Sequence, residues 1–165
     1  IKIPILVGGM AYGLALSEAF KIAWAKGATM AGTATNTGQG PWLESERRAA
    51  RHLILQYSKN SWAKDEEIIK KSDAVEIQFG QGASAGIGSI MKSKDINPAL
   101  RKRLGLKAGQ DAITHNRHKN VNSPRELASL VAYLKKVSRG VPVGVKIAAG
   151  KYIEKRSGNS CRCRG

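Results

Sequence analysis

With 165 residues, 42% hydrophobic and 24% charged, the chain is long enough for one domain with a core and has the balance of a globular protein. Its 28 Lys and Arg against 12 Asp and Glu give a formal charge of +16, which attracts nucleic acid and acidic ligands without specificity. Aromatic residues make up only 5%, too few for a base-stacking platform, and no apolar run reaches the roughly 18–20 residues of a membrane helix.

The first predicted element is a buried strand over Ile3–Gly9, an apolar run closed by glycines. The chain starts close to it, without an initiator Met, and reads as lacking an upstream part. Ser17 caps a predicted helix whose apolar face is Phe20, Ala23 and Trp24 and whose stop is Gly27. A second buried strand follows over Ala28–Ala34 and runs into the polar glycine loop Asn36–Trp42. Ala49, Ala50, Leu53, Ile54 and Tyr57 recur at helical spacing, so Ser45–Tyr57 is predicted as one helix. A short helix over Asp65–Lys71 precedes a third strand, Ala74–Gly80. Asn97-Pro98 starts another short helix that ends near Gly105. Ser123-Pro124-Arg125-Glu126 forms a capping box, followed by a stripe of Leu127, Leu130, Val131, Leu134 and Val137 and a stop at Gly140. Val141–Gly150 is the fourth predicted strand, buried. Apolar strands alternating with helices imply α/β architecture with a parallel sheet, either doubly wound or part of a β/α barrel. Both designs place chemistry at the C-terminal ends of the strands.

The unusual residues cluster at those ends. Gly80, Gly82 and Gly86 follow the third strand, but no helix opens directly onto them, unlike a dinucleotide fingerprint. Side chains alternate along a strand, so Glu76 and Gln78 share one face, with Ile77 and Phe79 on the other. Lys146 sits inside Val-Gly-Val-Lys-Ile, where a buried ammonium needs either an ion pair, with Glu76 the candidate, or an electron-rich ligand. His52, His115 and His118 have no metal spacing; His118 is a candidate acid/base or ligand contact. Cys161 and Cys163 are too close for an ordinary disulfide and supply half a zinc site. Nothing points to an oxidising compartment, so a cytoplasmic location is expected.

Five segments, taken in order, carry a resemblance. They are Gly9-Met10-Ala11-Tyr12-Gly13, Thr35–Gly40, Glu76–Ala83, His118 ahead of Ser123–Leu127, and Val143–Ile147. Together they resemble the FMN-binding synthase domain of glutamate synthase, in its short glutamate-synthase-related form. The resemblance implies a TIM-type β/α barrel of which residues 1–154 form about the first four units. It implies an FMN-dependent oxidoreductase that reductively aminates 2-oxoglutarate with glutamine- or ammonia-derived nitrogen, or runs a related amino-transfer reaction. It places Gly9, Met10, Ala11, Tyr12, Asn36 and Thr37 along the flavin, with Gln78 and Lys146 also cofactor-binding and Lys146 catalytic, its cation near the reduced flavin's negative edge. Gln81 and His118 are the substrate contacts it implies.

Two features depart from the family pattern. Ser84 and Ile87 stand where glutamate synthases carry Lys and Glu. The cysteines of the family's iron–sulfur cluster are not among the residues here. Residues 155–165 are expected to be an aberrant, disordered basic tail. A one-base shift of codons for Arg156–Cys161 reads Asp-Leu-Glu-Ile-Leu, so a frame slip near Lys155 is expected. A fragment of four strands is expected to be poorly stable, weakly active or inactive, and to bind FMN weakly or not at all. A 2-oxoglutarate-like acid and an electron-donor protein are the expected partners; a basic nucleic-acid-binding module is the alternative of another class.

Overall fold

The computed structural model describes residues 1–62, 64–81 and 87–151. Ser84 and the rest of the 82–86 glycine segment lie outside them, as does the predicted tail.

Ser17 Oγ accepts the Phe20 N–H at 3.2 Å and starts α1 (Glu18–Met30) as expected. The helix runs through Gly27 and takes in Ala28, Thr29 and Met30, the start of the predicted second strand. Its buried face is Lys21, Ala25 and Ala28, not the predicted aromatic one; Phe20 is largely exposed and packs on Trp24, with ring centroids 5.0 Å apart. β1 is only Thr35–Asn36. α2 covers Glu44–Ala49, and the chain turns extended at Ala50 to enter β2 (Leu53–Tyr57). The predicted helix over Ser45–Tyr57 is therefore half strand. Leu53-Ile54-Leu55 is a short apolar run that periodicity alone assigns to either state. Asp73 Oδ2 accepts the Leu53 N–H at 2.7 Å and pairs with Arg47, which fixes the strand entry.

α3 (Glu66–Lys70), capped by Asp65, leads to β3 (Ala74–Gln78), both as expected. An antiparallel pair, β4 (Ser89–Met91) with β5 (Ala112–Thr114), was not foreseen in the sequence. Between them lies α4 (Pro98–Leu104), where Asn97 Oδ1 accepts the Leu100 N–H at 2.8 Å and Gly105, at φ 67°, ends the helix. α5 (Pro124–Val137) matches its predicted cap, with Ser123 Oγ accepting the Glu126 N–H at 3.2 Å. The Glu126 carboxylate takes the Asn122 N–H, one residue ahead of the cap. β6 is Val143–Lys146 and is half-buried rather than buried, because it lies at the edge of the sheet.

The Ile3–Gly9 strand is absent. That segment meets its neighbour through isolated bonds, such as the Val7 N–H to Ala34 O at 3.1 Å, and Ile5 and Leu6 are exposed. An apolar run is buried only where a second element covers it, and none of the described residues does so here.

The sheet is four-stranded, parallel and ordered β1-β2-β3-β6. The order runs one way, without the reversal of a doubly wound sheet. It is a mixed α/β fold compatible with part of a β/α barrel. On one face Leu55, Val75 and Ile77 pack against Ile69 of α3 and Leu127 and Leu134 of α5. Full burial of each such side chain stabilises by about 1.5–3 kcal/mol. Among the described residues no helix is long and apolar enough to cross a membrane.

Candidate functional site

Strand alternation sends Val75 and Ile77 to the helices and leaves Glu76 and Gln78 on the opposite face. Register then aligns a polar row. Gln56 of β2 lies beside Glu76, and Lys146 of β6 lies beside Gln78. Glu76 Oε1 accepts from Gln56 Nε2 at 2.7 Å and from Asn36 Nδ2 of β1 at 3.0 Å. No Lys146–Glu76 ion pair exists among the described residues, so two amides, and not the lysine, serve the Glu76 carboxylate. Lys146 itself is half-buried. Gln78 is 1% exposed, and among the described residues its Oε1 has no hydrogen-bond partner. Leaving such an acceptor unpaired costs about 1–3 kcal/mol, which is why the atom points to a ligand. A cavity of about 400 Å³ opens on this face, lined by Gly8, Gly9, Asn36, Glu76 and Lys146 among others.

The glycines of the first two loops serve each other. A Cβ on Gly38, at φ 68°, would lie 2.5 Å from the Met10 carbonyl carbon. One on Gly9 would lie 2.7 Å from Gln56 Nε2. Backbone therefore packs on backbone, and the Met10–Tyr12 stretch rests on the Asn36–Gly40 loop. Thr37 Oγ1 accepts the Gln56 N–H at 3.0 Å and joins this loop to β2. Beneath both loops lies Lys21, 3% exposed. Its Nζ donates to Met10 O at 2.9 Å, Asn36 O at 2.8 Å and Thr37 O at 3.3 Å, and lies 2.8 Å from Glu46 Oε1. Burial pushes the Glu46 carboxyl up from its ordinary value, and Lys21 pulls it back down.

The sequence reading missed Lys21, Glu46 and Gln56. The i, i+4, i+7 spacing of Lys21, Ala25 and Ala28 marks the small-residue face that packs closely, and it was the available signal. Gln56 was hidden by the misassigned helix.

The two predicted substrate contacts do not sit with this row. Gln81 is half-buried just beyond β3. His118 lies on the helix side of the sheet, 3% exposed, its ring 6.1 Å from that of Tyr57 and edge-on to Phe79 at 5.1 Å. Its Nε2 is 3.0 Å from Gln78 O, and a carbonyl only accepts, so that nitrogen carries the proton. Burial drives its pKa from 6.5 to about 4; the Gln78 bond opposes this, and Lys64 and Lys59 add to it. No group of three or more His, Cys, Asp and Glu side chains suited to a metal exists among the described residues.

Known proteins are similar to this chain in sequence. The family described as the conserved region in glutamate synthase matches residues 1–160. The archaeal glutamate synthase (NADPH) of Methanocaldococcus jannaschii is 35% identical over 147 residues, 88% of this chain and 29% of the relative. The glutamate synthase large subunit-like protein of Rhizobium meliloti (strain 1021) is 31% identical over 152 residues, 92% of this chain and 34% of the relative. The archaeal-type glutamate synthase (NADPH) of Thermotoga maritima is 29% identical over 150 residues, 90% of this chain and 29% of the relative. The chain thus spans about a third of the length of the curated relatives it matches.

Proposed function

Because the chain belongs to the glutamate synthase family, we propose that the polar face of its sheet is part of the flavin-binding wall of an FMN-dependent β/α-barrel oxidoreductase acting in glutamate formation. The observation that carries this reading is the buried Gln78 Oε1, unpaired among the described residues and directly in register with Lys146, which itself lines the cavity walled by Gly8 and Gly9. The donor set fits the polar edge of an isoalloxazine: the Gln78 amide has both a donor and an acceptor, and the Lys146 ammonium is a donor with a positive charge. The fit covers one end of FMN only, since no described residue is assigned to its phosphate.

When bound, the flavin supplies hydride transfer. The chain's own part is positional and electrostatic. With a flavin bound, the Lys146 ammonium would supply positive charge to offset the negative charge of its reduced form. Glu76, fixed by Asn36 and Gln56, holds the cavity floor in one arrangement. A 2-oxo dicarboxylate is the acid substrate in this reading, and an electron-donor protein or reductase subunit its partner.

The test is a chimera in which this chain replaces the matching segment of the M. jannaschii relative. Flavin absorbance in the purified chimera is expected, with loss or weakening of flavin on Gln78→Leu and Lys146→Met. A folded chimera that contains no flavin, or one indifferent to both substitutions, sinks the reading.

A further inference from the structure

The helix-facing side of the same strand ends carries a second cavity, of about 670 Å³, that the flavin reading does not use. Its floor is Tyr57 and His118, its walls come from α5 through Leu130 and Tyr133, and its charged lining is dominated by Lys59, Lys64 and Lys119. Lys59 is 4% exposed, an unusual place for an ammonium. Its Nζ donates to Phe79 O at 2.9 Å and Asn116 O at 3.2 Å, which leaves one of its three donors unused. Lys64 lies over the Tyr57 ring, 5.1 Å from its centroid.

None of these three lysines forms an ion pair among the described residues. Glu126 lines the same cavity, but its carboxylate, like that of Glu66, has other hydrogen-bond partners. Glu126 takes the Asn122 N–H, and Glu66 takes the Tyr133 hydroxyl and pairs with Lys70. Burial is the main cause that lowers both Lys64 and His118, and the cations add to it: Lys119 on Lys64, and Lys64 and Lys59 on His118. A cavity that gathers three lysines against a single carboxylate, Glu126, is arranged for an anion that balances them.

We propose that this cavity is a binding site for a small dianion, a dicarboxylate or a phosphate, held by Lys59 from below and by Lys64 and Lys119 from the rim. Tyr57 and Leu130 give the ligand an apolar wall, and the Asn60 and Ser61 side chains add neutral polar groups around the opening. The site is separate from the flavin face, because the sheet lies between them.

Calorimetric titration of the 165-residue chain with inorganic phosphate and, separately, with succinate tests this at constant ionic strength in chloride. Saturable binding of at least one probe is expected, together with a shift of the His118 ring resonances. Lys64→Gln and Lys119→Gln, both at solvent-accessible positions, are each expected to weaken binding about tenfold. The control Lys102→Gln removes the same charge from α4 and is expected to leave affinity unchanged. Phosphate alone binding assigns the site to phosphates, and succinate alone assigns it to dicarboxylates. No saturable binding by either probe overturns the proposal, and so does an equal loss in the Lys102→Gln control, which would mean diffuse attraction to a basic surface.

Discussion

The two faces of one sheet solve the burial of polar groups in different ways. On the Glu76 face, Glu76, Gln56 and Asn36 satisfy one another through amide–carboxylate bonds, and the loops above them are fixed by backbone contact. On the helix side apolar side chains pack on the sheet, and the cavity beside them gathers Lys59, Lys64 and Lys119, none of them ion-paired among the described residues, against the one carboxylate of Glu126. The first face is organised internally, and among the described residues Gln78 Oε1 is the atom of its strand row left without a hydrogen bond. The second is electrostatically incomplete across a whole cavity. A polar network that is closed except at one atom suits orientation of a ligand, whereas an unbalanced charge cluster suits attraction.

The largest test of this contrast is Lys21→Met. It strands the buried Glu46 carboxylate and frees three carbonyls, so a loss of about 3–5 kcal/mol in urea unfolding is expected, together with loosening of the Met10 and Thr37 amides in hydrogen exchange. Leu134→Ala, on the apolar side, is expected to cost about 3 kcal/mol without that local exchange signature. If both variants loosened the loops equally, the two faces would not be independent.

His118 supplies a test by pH. Its folded pKa of about 4 lies below the ordinary 6.5, so the folded state binds its proton less readily. The stability from this group is complete above pH 6.5 and is lost as pH falls through about 4, a change on the order of 3 kcal/mol at most. Unfolding midpoints measured from pH 7 to 4 are expected to show that slope in the wild type and to lack it in His118→Phe. Glu46 has the opposite sign, since its raised pKa favours the folded state at low pH. The smallest effect expected is in Ser123→Ala, which removes the α5 cap at about 1 kcal/mol and leaves both cavities unchanged.

Elements with explicit stops and starts were legible in the sequence. Asn97-Pro98 with Gly105 and Ser123-Pro124 each carry a side-chain acceptor at the helix start, a local signal that tertiary context does not override. β3 was legible because Ala74–Gln78 alternates visibly about its buried positions. β2 was not, since Ala49 and Ala50 extend the apolar spacing of Leu53, Ile54 and Tyr57 into a false helix, and the turn that separates them depends on Arg47 and Asp73, 26 residues apart. Long-range pairs of this kind leave no local trace. For the same reason Gln78 and Lys146 were found as candidates, whereas the Lys21–Glu46 pair beneath the loops was not. His118 was singled out by type, but its place on the helix side comes only from the packing of Tyr57 and Phe79.

Lys21 has one more consequence. Its ammonium ties carbonyls from two loops to a carboxylate on α2, so the loop ends hang from the α1–α2 helix pair like two arms from one yoke. A small rotation of either helix would carry Met10, Asn36 and Thr37 together and change the width of the cavity mouth without breaking any bond within it. Substitutions farther along the same buried face of α1, at Ala25 or Ala28, are therefore expected to be felt at the Glu76 face of the sheet.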